Sequence, residues 1–211
     1  MADKREHILI VAEELFGEKG FDGTSVRDIA QRAGVNLAMI SYYFGSKEKL
    51  LESLIEFRTN YAYGILEELN MDATLSPWDK IDRLVEFYVD RILNNLRFHN
   101  IMYHEIANRS EEIKKRIVDI KMRNLEQITK IITDGQQKKL FRQVDVAMTV
   151  GTIMGTISSY TQSKYYACAI LALQEDANDE QYVTRLSPRL KAHLKHLLRA
   201  HLDISNDEPK L

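Results

Sequence analysis

The chain has 211 residues, 45% hydrophobic and 28% charged, the proportions of a soluble globular protein with one large domain or two smaller ones. A formal net charge of −2 excludes a basic field over the whole surface, so nucleic-acid binding would have to rest on a local patch. Three prolines and nine glycines allow few tight turns and favour helices over a sandwich or barrel, and the single cysteine, Cys168, excludes an internal disulfide and fits a reducing cytoplasm.

The N-terminal "MADKREHILIVAEELF" is interrupted by acids and is unlike a signal peptide. In it Ile8, Val11, Ala12, Leu15 and Phe16 recur at i, i+3, i+4, i+7 and i+8, which predicts an amphipathic helix stopped by Gly20. A second helix is expected over "SVRDIAQRAG", with Ser25 and Asp28 as a capping box and Gly34 as its end. Asn36 suits the N-cap of a short third helix that Gly45 breaks. Ser46 then caps a long fourth helix to about Leu69. Two short helices joined by a glycine-containing turn are the signature of a helix-turn-helix.

The remainder also reads as helix, so the fold class is all-α. Ser76 and Pro77 start a helix carrying Ile81, Leu84, Val85, Tyr88 and Ile92. A short helix is expected over 98–108, a longer one from Ser110 to about Lys138, and one capped by Asp145 and ending near Leu173. The polar "QEDANDEQ" reads as a loop, and Ser187-Pro188 as the start of a last helix with Leu190, Leu194, Leu197 and Leu198 on one side. The most apolar run, residues 146–161, is too short and too rich in Thr, Ser and Gly to cross a bilayer, so no membrane partner is expected. His193 and His196 share a helix face, and His99 and His104 stand near Glu105, but neither set has a third ligand at fitting spacing. No metal and no cofactor are therefore expected. With no nucleophile–base set, no phosphate-cradling glycine loop and no HExxH, neither is an enzyme.

The third helix carries the functional argument. At 100° per residue Ile40 and Phe44 face inward, Ala38, Met39, Ser41 and Tyr42 outward, and Leu37 and Tyr43 sideways. Methyl groups suit thymine, and hydroxyls and helix-start N–H groups suit phosphate. Thr24, Ser25 and Arg27 stand at one helix start, and Ser46 and Lys47 at another. Over residues 5–60 the succession "LFGEKGFDGTSV", "RDIAQRAGV" and "YYFGSKEKLL" resembles the DNA-binding domain of the tetracycline-repressor (TetR) family. The resemblance implies a homodimeric cytoplasmic transcription regulator, most often a repressor, that places a recognition helix in each half of a palindromic double-stranded operator. It implies base contacts at Leu37, Ala38 and Met39 and phosphate contacts at Tyr42, Tyr43, Lys47, Thr24 and Ser25; Asn36, Arg27 and Ser41 join the candidate DNA-binding residues through their own places at the helix starts and on the outward side of the third helix. Ser41 departs from the family pattern, which has an aromatic there, and Leu37 stands where many members are polar. These departures, with an acidic balance near the N-terminus, leave one alternative: a helical dimeric sensor that has lost specific DNA binding.

The implied domains are a DNA-binding domain over 1–50, a linking helix over about 46–69, and a ligand-binding and dimerisation domain over 71–205. A small, largely apolar effector would bind in the latter. Leu84, Phe87, Tyr88, Met102, Tyr103, Ile106, Met122 and Leu125 form a candidate pocket, with an ordinary core stripe as the alternative. Gly151 and Gly155 in "GTIMG", with Leu194 and Leu198 of the last helix, are candidates for a four-helix dimer interface, with close packing inside one subunit as the alternative.

Overall fold

The computed structural model of the chain describes residues 4–96, 98, 99, 111–173 and 179–204. Among these residues there are nine helices: α1 (Lys4–Lys19), α2 (Val26–Ala33), α3 (Leu37–Phe44), α4 (Lys47–Met71), α5 (Pro77–Leu93), α6 (Glu111–Gln137), α7 (Val146–Gln162), α8 (Lys164–Leu171) and α9 (Asp179–Leu202). The helix expected over 98–108 lies outside the described residues except at 98 and 99, which are helical. The chain divides into two compact units, Met1–Tyr63 with Arg97–Met122, and Gly64–Leu96 with Arg123–Leu211.

The first unit is built on the aromatic pair Phe16 and Phe21, whose ring centroids lie 5.1 Å apart. Around them Ile8, Leu9, Ala12, Leu15, Ile29, Ile40, Leu50 and Leu54 are almost wholly buried. Each such side chain removed from water contributes roughly 1.5–3 kcal/mol, and together they fix α1 to α4 against one another. Local chemistry sets the turns. Ser25 and Asp28 form the expected capping box, and Gly34 closes α2 in the left-handed region at φ 64°. Gly20 and Gly45 also take positive φ, which L side chains rarely adopt. Ion pairs brace the unit, among them Glu13 to Arg58 at 2.7 Å and Arg116 to Glu52 at 3.2 Å.

The second unit is organised by α5 and α9, which run antiparallel. Tyr182, Leu186, Leu190, Leu194, Leu198 and Leu202 repeat every fourth residue along α9, and all are buried. At the edge of the same seam Lys191 meets Asp90, Lys195 meets Glu86 and Arg199 meets Asp82, each at 2.6 Å. Arg199 also lies 4.7 Å over the Trp78 ring. Trp78 packs edge-on to Phe141 at 4.6 Å, and the Phe141 ring fills the space where a side chain of Gly135 would stand.

Two expectations need correction. The helix from Asp145 does not continue to Leu173. It stops at Gln162, and Ser163, with φ −137° and ψ 88°, caps a new helix by accepting from the Tyr166 N–H. The last helix does not begin at Pro188 but at Asp179, with the proline inside it. A proline in a helix interior costs about 3 kcal/mol. Burying Tyr182 and Leu186 upstream of it contributes more than that, at roughly 1.5–3 kcal/mol each, and the Tyr182 hydroxyl also donates to the Tyr160 carbonyl at 2.5 Å.

Candidate nucleic-acid interface and apolar slit

The α2–turn–α3 segment presents one continuous exposed surface. Asn36 caps α3 by accepting from the Ala38 N–H at 2.9 Å, so its carbonyl oxygen is already engaged. Ile40 and Phe44 are buried at 2% and 5% exposure, which fixes the rotation of α3 about its axis. That rotation exposes Leu37, Ala38 and Ser41, half-exposes Met39, and leaves Tyr42 84% exposed. Tyr43 is half-buried against the unit's core, with its ring 5.3 Å from that of Tyr42 and 6.1 Å from that of Phe44. The arrangement offers methyls, a thioether and two hydroxyls to a groove, and no charge from α3 itself.

The helix start beside it is differently occupied from what the sequence led us to expect. Thr24 is 1% exposed, and its hydroxyl, with one proton to donate, lies between the Gly20 carbonyl at 2.8 Å and the Leu15 carbonyl at 3.0 Å. Its side chain therefore ties the end of α1 to the start of α2 and is turned away from any phosphate, a correction to the role implied for it. The Ser25 hydroxyl and N–H both donate to Asp28, at 2.8 and 3.0 Å. Those bonds hold the Asp28 carboxyl below the ordinary carboxylate range, so a fixed negative charge sits at the start of α2. Arg27 is exposed on the same turn. Lys47 is half-buried, and its Nζ donates to the Phe21 and Thr24 carbonyls, each at 2.9 Å. Arg32 is drawn to Glu18 at 3.1 Å.

Gly23 was not singled out from the sequence, yet it has a strict place here: a Cβ would stand 2.3 Å from the Lys19 carbonyl oxygen. The Asp22-Gly23 pair is a turn signal that could have pointed to it.

In the second unit an apolar slit of about 30 Å³ lies among α5, α6, α7 and α9. Ile81, Leu84, Val85, Ile153, Met154 and Leu198 are among its walls, with Tyr88 and Thr149 the polar contributors. Burial pushes the Tyr88 phenol up to about 12, so it stays a neutral hydrogen-bond donor. Of the expected pocket residues Leu84 and Tyr88 meet in this slit. Phe87 and Leu125 are half-buried outside its walls, Met122 is 47% exposed, and Met102, Tyr103 and Ile106 lie outside the described residues. Leu194 and Leu198, expected at a dimer interface, are corrected: they are 0% and 3% exposed, and both line the slit of their own subunit. Gly151 and Gly155 are exposed on α7, with no described atom within 4 Å of where a Cβ would stand. Among the described residues nothing packs closely against them. Ala147, Met148, Thr152 and Ser159 continue that exposed face. Among the described residues no group of three metal-ligating side chains occurs, and no helix is long and apolar enough to cross a membrane.

A helix-turn-helix with a solvent-facing second helix, joined to an all-helical unit enclosing an apolar slit, defines the class of one-chain transcription regulators. The chain belongs to the bacterial regulatory proteins of the tetR family: residues 8–54 match the model of that family's DNA-binding domain, and residues 74–162 match a tetracyclin repressor-like C-terminal domain. It is 30% identical over 183 residues to the HTH-type transcriptional repressor NicS of Pseudomonas putida, 84% of each chain. It is 32% identical over 136 residues to the probable HTH-type transcriptional regulator YttP of Bacillus subtilis, 64% of this chain and 66% of that protein. Among solved structures it resembles the TetR family regulator PfmR of Thermus thermophilus, with TM-score 0.70 and 24% identity over 91% of this chain and 97% of that one. It also resembles the regulator FadR of Bacillus subtilis in complex with stearoyl-CoA, with TM-score 0.70 and 22% identity over 90% and 96%. Members of the family are DNA-binding regulators, and the chain is one of them.

Proposed function

We propose that the protein is a homodimeric repressor that holds a palindromic operator through α3 and releases it when a largely apolar effector enters the second unit. The observation that carries the DNA half of this reading is the rotation of α3. Burial of Ile40 and Phe44 leaves Leu37, Ala38, Met39, Ser41 and Tyr42 facing out together, as a recognition helix requires. Residues 1–50 hold seven Lys and Arg (4, 5, 19, 27, 32, 47, 49) against eight Asp and Glu (3, 6, 13, 14, 18, 22, 28, 48). Affinity therefore comes from placement and from two subunits acting together, and the salt dependence is moderate. The operator-reading domain is residues 1–50, α4 links it to residues 71–205, and the protein acts in the cytoplasm.

The effector half rests on the slit. Ligand cavities run to roughly 300–1,000 Å³, whereas the slit measures about 30 Å³. An effector must part the helices to enter, and so it prefers a conformation other than the closed one. That differential preference is the thermodynamic condition for release. An aliphatic wall with one phenol supports a ligand with a long apolar body, in keeping with the stearoyl-CoA bound to the FadR neighbour. Ile153→Phe, which fills the slit without the bulk needed to part the helices, is expected to keep operator binding and lose effector response; retained response would remove the slit from the mechanism. The whole reading is tested by selecting bound duplexes from a random pool. An enriched inverted repeat is expected, and a pool that stays random after selection overturns it in favour of a sensor without specific DNA binding.

A further inference from the structure

We infer that Lys47 positions the DNA-facing start of α2 and does not itself hold a phosphate; this builds on the operator-binding reading and revises the role implied by its place in the family pattern. Lys47 is the first residue of α4, where a cation opposes the helix dipole and needs compensation. The compensation is internal. Its Nζ donates to the Phe21 and Thr24 carbonyls, each at 2.9 Å, and stands 4.3 Å from the centroid of the Phe21 ring. An ammonium has three N–H donors and no acceptor. Two serve the carbonyls, and the third is left to the ring face, whose quadrupole attracts a cation.

The cradle itself is rigid. Phe21 and Thr24 are each 1% exposed. The Thr24 hydroxyl is held by the Leu15 and Gly20 carbonyls, and its N–H by the Phe21 carbonyl at 3.2 Å. The Thr24 peptide is thus fixed from the α1 side by its own side chain and from the α4 side by Lys47. The next residue is Ser25, the N-cap of α2, and Arg27 follows in its first turn. Lys47 therefore sets where Arg27 and the first N–H groups of α2 stand, and it acts on DNA through them.

The test compares Lys47→Met, Lys47→Arg and Arg27→Gln with wild type on a labelled duplex taken from the random-pool selection, across about 50–200 mM salt. A phosphate contact contributes about 0.9 to the slope of log affinity against log salt. Lys47→Met is expected to lose about tenfold in affinity at every salt concentration, the scale of hydrogen bonds from a charged donor, with the slope unchanged and the melting temperature lowered. Arg27→Gln is expected to flatten the slope by about 0.9 per subunit. Lys47→Arg should lose as much as Lys47→Met, because a planar guanidinium does not fit two carbonyls and a ring face as an ammonium does. A slope flattened in Lys47→Met, or full affinity in Lys47→Arg, overturns the proposal. So does a scalar coupling between the Lys47 ammonium nitrogen and an operator phosphorus in the wild-type complex, a readout that needs no variant to fold. If wild type binds no duplex, the operator reading fails by itself. The cradle is then judged in free protein by amide exchange at Thr24 and Ser25, whose N–H groups are hydrogen-bonded to the Phe21 carbonyl and the Asp28 carboxylate; it is expected to quicken about tenfold in Lys47→Met, the same charged-donor scale, and overturns the positioning role if unchanged.

Discussion

Tyr42 and Tyr43 are neighbours of one residue type with opposite environments. Tyr42 is 84% exposed, while Tyr43 packs against the core of the first unit. Tyr42→Ala is therefore expected to lower operator affinity about tenfold, as loss of a charge-assisted contact to phosphate does, and to leave the melting temperature nearly unchanged. Tyr43→Ala should lower the melting temperature as well; equal thermal effects of the two, read by calorimetry, would contradict the division. Helical period was enough to separate Ile40 and Phe44 from the exposed side of α3. It could not show that Thr24 is buried, because that depends on the Leu15 and Gly20 carbonyls arriving from another helix and its end. Gly135 was illegible for the same reason. Glycine inside a helix ordinarily costs about 1 kcal/mol relative to alanine, yet here a Cβ would stand 2.1 Å from a Phe141 ring carbon. Overpacking costs roughly 1–3 kcal/mol, so Gly135→Ala should destabilise the protein on balance. A higher midpoint in urea for that variant would show that the ring moves aside freely.

At the scale of elements, capping chemistry was the most readable feature. Ser25, Asn36, Ser76 and Asp145 all cap the helices expected of them. Interior breaks were harder. Ser163 looks like any serine in an apolar run, and Pro188 looks like a helix start. Both were misjudged because the deciding term is burial. The four-residue repeat of α9 reaches back to Tyr182, and the proline falls on its exposed side. The α5–α9 seam shows how the energies rank. Its three ion pairs are partly exposed, and such pairs contribute about 0–1 kcal/mol each; the leucines beneath them contribute roughly 1.5–3 kcal/mol each. The leucines hold the seam, and the charges fix its register.

For the molecule as a whole, we propose that the dimer forms on the face that α7 leaves uncovered. Gly151 and Gly155 have open space beside them, and on a free surface their replacement would be harmless or mildly stabilising. If a second copy packs there about a two-fold axis, each substitution acts twice. Gly151→Glu is expected to shift sedimentation from dimer to monomer and to cost operator affinity far more than it costs stability, because the two half-sites no longer cooperate. A dimer of unchanged strength would place the interface elsewhere. The overall architecture and the DNA-facing helix could be read from the sequence because both rest on local period and caps. The slit could be read only in part, through Leu84 and Tyr88, since apart from Ile81 and Val85 of the same helix its other walls come from three helices distant in the chain.

The central claim is that the exposed side of α3 reads the operator. It is tested most directly by repeating the random-pool selection with Leu37→Gln and Ala38→Arg together. The account predicts an inverted repeat of unchanged spacing in which only the bases facing α3 are replaced in each half-site. Enrichment of the same repeat as wild type would contradict it.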